Sequence, residues 1–127
     1  MPERNMKMAD FSIQSKEEIV RTIEEVLGYF WTQLSGVIGI PTTIFVFQSV
    51  LRETVQEFLY FENTRISDSG IQLNLTGEPL EKIERNQLNA GLLAFLDNCL
   101  GLLHDLTGNI LVSKLEPLVN EFRANIE

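Results

Sequence analysis

The chain reads as a mostly α protein: a four-helix bundle-like domain made of two pseudo-repeated helix–glycine–helix halves, with a short β-hairpin between them. Three observations predict it. The second half repeats the apolar layout of the first when Gly108 is laid over Gly39, so that Leu106 falls on Val37, Leu103 on Leu34, Cys99 on Phe30, Leu96 on Leu27, Phe95 on Val26, Leu92 on Ile23 and Leu88 on Ile19. A second apolar-periodic run follows each glycine, Ile44 to Leu59 and then Leu111 to Phe122, and neither half can bury its stripe alone. Between the halves the helical period is lost and a period of two takes its place. Residues 1–14 read as a flexible N-terminal segment. Residues 15–127 read as one helical domain: a first helical pair over 15–61, a hairpin linker over 62–79 and a second pair over 80–127.

The first helix opens with a capping box, Ser15 and Glu18, in which each residue can satisfy the other's amide. Ile19, Val20, Ile23, Val26, Leu27, Phe30, Trp31 and Leu34 then share one face, and Gly36 and Gly39 are stop signals, which predicts a helix from about Lys16 to about Ser35. Pro41 suits the first turn of a second helix over about Thr42 to Tyr60. Its main stripe is Ile44, Phe47, Leu51, Val55, Phe58 and Leu59, with Phe45 and Val46 pointing away from it. Ile71, Leu73 and Leu75 alternate with Gln72 and Asn74 after the turn residues Ser67-Asp68-Ser69-Gly70, which predicts a hairpin pairing Arg65 and Ile66 with Ile71 to Leu73. Glu78-Pro79 opens a short helical turn that Asn86 interrupts. A third helix runs from about Leu88 to Leu106 and ends at Thr107-Gly108-Asn109. The fourth carries Leu111, Leu115, Leu118, Val119, Phe122 and Ile126 on one face, and Pro117 should make it bend or restart.

With 127 residues, 44% of them apolar, the chain is long enough for one packed core. The net charge of −8, with basic residues scattered singly from Arg4 to Arg123, argues against a nucleic-acid partner and against binding to anionic membranes. The most apolar stretch, Gly36 to Phe47, is too short to span a bilayer. The start lacks a cationic-then-apolar leader and Cys99 is the single cysteine, so a reducing, cytoplasmic setting is expected.

Chemistry-bearing residues are sparse. His104, the single histidine, shares a helix face with Asp97 and Gly101, but no serine or cysteine nucleophile joins them. No zinc-ligand spacing, carboxylate-bundle motif or phosphate loop is present, and no metal or cofactor is expected. Cys99 falls on the apolar arc of the third helix with no cation near it, which suits a small core residue. Gly91, Ala94, Asn98, Gly101 and Asp105 form a stripe of small and polar residues on that helix. Together with Phe45 and Val46 they make a candidate dimer or partner surface, with Asn98 placed to fix register. Phe30, Trp31, Phe47, Phe95 and Cys99 make a candidate apolar pocket. These features predict a non-enzymatic protein–protein interaction module, a homodimeric regulatory or adaptor domain. The alternative is a small-molecule sensor or carrier holding a lipid-like ligand or haem between the helices.

Overall fold

The computed structural model describes residues 15–126, so the segment 1–14 lies outside the described residues. The protein is mostly helical with a small two-stranded antiparallel sheet. Helix α1 (Lys16–Ile38) passes through Gly39 into α2 (Ile40–Glu57). A 3-10 turn (Leu59–Asn63) leads to strands β1 (Arg65–Ser67) and β2 (Gly70–Gln72). After the short α3 (Gly77–Glu81), α4 (Arg85–Thr107) passes through Gly108 into α5 (Asn109–Ile126). Helix α2 packs on α1 and α4, α5 packs on α4 and α1, and the hairpin leans on α1 and α2.

The capping box at the start of α1 is formed. The Ser15 N–H donates to Glu18 Oε1 at 2.9 Å and the Glu18 N–H donates to Ser15 Oγ at 3.2 Å. Those bonds to Ser15 hold the Glu18 carboxyl below the usual glutamate range. Beside them, the Lys16 ammonium donates to the carbonyls of Glu81 and Ile83 and fastens this end of α1 to the exit of α3. Helix α1 continues past the expected stop at Ser35, because a glycine inside a helix weakens it by about 1 kcal/mol without ending it. It ends at Gly39, whose φ of 84° is disfavoured for any side-chain-bearing residue and whose N–H reaches back to Ser35 O.

Helix α2 departs from its expected stripe. Its most buried residues are Thr43, Val46, Phe47, Val50 and Thr54, while Ile44, Leu51, Val55 and Phe58 are half-buried and Leu59 is exposed. Val46 therefore belongs to the core and does not point away from it. Two threonines on the buried face hide this from a reading of hydropathy. Thr43 Oγ1 donates to Gly39 O at 2.7 Å and Thr54 Oγ1 to Val50 O at 2.8 Å, so burial leaves neither hydroxyl unpaired. The helix ends at Glu57 instead of Tyr60 because Phe58 turns extended, and the 3-10 turn then sends Tyr60 and Phe61 back toward α4.

The hairpin pairs Arg65 with Gln72, Ile66 with Ile71 and Ser67 with Gly70. Leu73 and Leu75, which follow it, are buried. Beyond α3 the break falls at Lys82–Glu84, so Asn86 lies inside α4 and interrupts nothing. Helix α5 starts at Asn109 and runs through Pro117 without restarting. Leu115, Val119 and Phe122 are buried on either side of that residue, whereas Ser113 and Pro117 are on the exposed side, where water can take the carbonyl that proline leaves without a donor.

The core is continuous from Ile19 and Ile23 on α1 through Phe30, Phe47 and Phe95 to Leu115 and Val119 on α5. Leu103 is fully buried in it. Replacing Leu103 with Asp should lower unfolding free energy by about 4 kcal/mol or more in chemical denaturation, since an unpaired carboxylate cannot be accommodated there. Glu24→Lys on the exposed side of α1 should stay within about 0.5 kcal/mol of the parent.

Candidate functional site

The small-residue stripe of α4 splits into two parts. Gly91 is buried, and a Cβ there would overlap Tyr60 Oη and lie 2.7 Å from its Cζ. The Tyr60 hydroxyl lies over this gap and donates to Leu88 O at 2.7 Å, and burial pushes its pKa up. Two helical turns further on, Asn98 Nδ2 donates to Thr54 Oγ1 at 3.1 Å. Gly91 and Asn98 thus serve the seam between α4 and the α2–3-10 segment of the same chain, and Asn98 spends its donor inside the protomer. Ala94 is half-buried. Gly101 and Asp105 are exposed, and nothing lies near the position a Gly101 Cβ would take.

The candidate pocket residues lie in the core. Phe30, Phe47, Phe95 and Cys99 are at most 1% exposed, and Trp31 is half-buried. Rings stack in series: Trp31 on Phe47 (5.8 Å between centroids), Phe47 on Phe95 (6.4 Å), Phe95 on Phe61 (5.4 Å) and Phe61 on Tyr60 (4.6 Å). These are ordinary aromatic contact distances, so the rings occupy one another's surfaces. Burial in apolar surroundings pushes the Cys99 thiol well above its ordinary range, which suits a packing role. A groove of about 640 Å³ lies elsewhere, between the end of α2, the first half of α4 and Ile126. Glu57, Phe58, Asn89, Leu93 and Asp97 help to line it, and the buried Asn89 Oδ1 has no hydrogen-bond partner among the described residues.

Asp97 does not pair with His104. Its Oδ1 accepts from Arg123 Nη2 at 2.9 Å across the α4–α5 contact, and His104 is exposed near the end of α4. Among the described residues no cluster of three His, Cys, Asp or Glu side chains could hold a metal ion, and no helix is long and apolar enough to cross a membrane.

The most distinctive surface is one that residue spacing did not single out. As α2 is read backwards its partners on α4 advance: Tyr60 meets Leu88, Thr54 meets Asn98, and Ser49 shares a shallow depression with Leu102 and Asp105. The two helices are therefore antiparallel, and the start of α2 lies beside the end of α4. The pairs Asn89–Ile126 and Asp97–Arg123 likewise fold α5 back along α4. Both glycine corners consequently sit at one end of the molecule. There, Val37 (61% exposed), Ile40 (43%), Phe45 (61%), Leu106 (52%) and Ile110 (73%) face solvent. They are five of the seven large apolar side chains exposed among the described residues, the others being Tyr29 and Leu59. The sequence around both corners is uncharged, with no Asp, Glu, Lys or Arg from Val26 to Leu51 or from Leu106 to Ser113.

Comparison of the chain with family models, with curated proteins and with solved structures found no match in any of the three.

The two glycines of α4 should respond oppositely to alanine. Gly91→Ala must displace the Tyr60 ring and should destabilise by about 1–3 kcal/mol. Gly101→Ala fills open space in a helix interior and should stabilise by about 0.5–1 kcal/mol. Paired denaturation curves measure both, and equal effects would show that Tyr60 does not fill the Gly91 gap.

Proposed function

We propose that this chain is a non-enzymatic protein–protein interaction domain, a regulatory or adaptor module acting as a dimer, and that it docks through the apolar end around Gly39 and Gly108. One observation carries the reading: five exposed large apolar side chains gathered on an uncharged end of a chain whose net charge is −8. Exposed large apolar side chains concentrated at one end of a domain suit an interaction site. Of the residues first considered for a partner surface, Phe45 belongs to this end. Ala94 lines the groove between α2 and α4, Gly101 and Asp105 line a shallow depression, Gly91 and Asn98 serve the internal seam, and Val46 is core. A reducing cytoplasmic setting fits the reading, since Cys99 is a free and buried thiol.

The domain is, on the same reading, a pseudo-repeated four-helix bundle. Helices α1 and α4 are each 23 residues long and α2 and α5 each 18. Gly39 and Gly108 both have positive φ and both return their N–H to a helix carbonyl, that of Ser35 and that of His104. Two like halves, each bent at a glycine, explain why apolar corners occur twice and at the same end.

A carrier or sensor of small molecules is the second reading. The groove of about 640 Å³ favours it, being within the size range of ligand sites and holding the unpaired Asn89 Oδ1. The stacked rings of Trp31, Phe47 and Phe95 do not favour it. Native mass spectrometry of gently purified protein separates the two, since a carrier retains a ligand mass and an interaction domain does not.

The docking reading is tested by hydrogen exchange on the intact chain, comparing dilute protein in buffer with the same chain at high micromolar concentration and in an extract of its own cells. New protection should appear over residues 36–46 and 105–111 and nowhere else. Protection confined to the groove or to the outer face of α1, or no change at all, would overturn it.

A further inference from the structure

We draw no further inference here: the strongest candidate, the groove between the end of α2, the first half of α4 and Ile126, belongs to the small-molecule reading already given, and nothing in the structure shows what fills it, since Asn89, which carries the unpaired oxygen, is only half-buried and the Asp97 carboxylate is already paired with Arg123.

Discussion

At Gly39 and again at Gly108 the backbone adopts a positive φ, and the N–H of each returns to a carbonyl of the helix just ended. A residue with a Cβ is disfavoured there, so each glycine ends one long helix and starts the next within a single residue. With no loop to separate them, the two helices at each corner must pack closely. The buried faces that follow depend on that geometry: Leu34 before Gly39, Val46 and Phe47 after it, Leu103 before Gly108 and Leu111 after it are all core. Beside each bend, Val37 and Ile40, Leu106 and Ile110 stay largely exposed among the described residues. The exposed end is thus a by-product of the turn that makes the core.

What keeps both corners at one end is the antiparallel seam of α2 and α4. Its contacts are of three kinds: the Tyr60 ring in the space over Gly91, the hydrogen bond of Asn98 to Thr54, and the stacking of Phe61 and of Phe47 on Phe95. Each is specific in register. Sliding α2 by one residue along α4 would place a side chain where only Gly91 leaves room. It would also separate a half-buried amide from its hydroxyl acceptor, at a cost of about 1–3 kcal/mol. Aromatic contacts and one close approach therefore act as the register device that a polar residue supplies in a simpler coiled coil.

Most of the helical organisation was legible in residue order because amphipathic spacing and capping are local. The Ser15–Glu18 box, the stripe from Ile19 to Leu34, the Arg65–Gln72 hairpin and the role of Gly108 all follow from neighbours in sequence. Helix α2 was less legible because Thr43 and Thr54 are polar by composition yet pair with their own helix, which shifts the buried face toward Val46 and Val50. Glycine 91 and glycine 101 fall in one stripe and look alike in sequence, but one is filled by a tyrosine more than 30 positions away and the other faces open space. The candidate surface was legible only in Phe45. Val37, Ile40, Leu106 and Ile110 become neighbours through the direction of α2 along α4, and no spacing along the chain encodes that direction.

An apolar end stands against a chain whose net charge is −8. The chain carries 18 acidic residues against 10 basic ones, and none of either lies from Val26 to Leu51 or from Leu106 to Ser113. Net charge and the placement of apolar residues then act together. The corners hold most of the exposed large apolar side chains among the described residues, and the charged residues lie outside them.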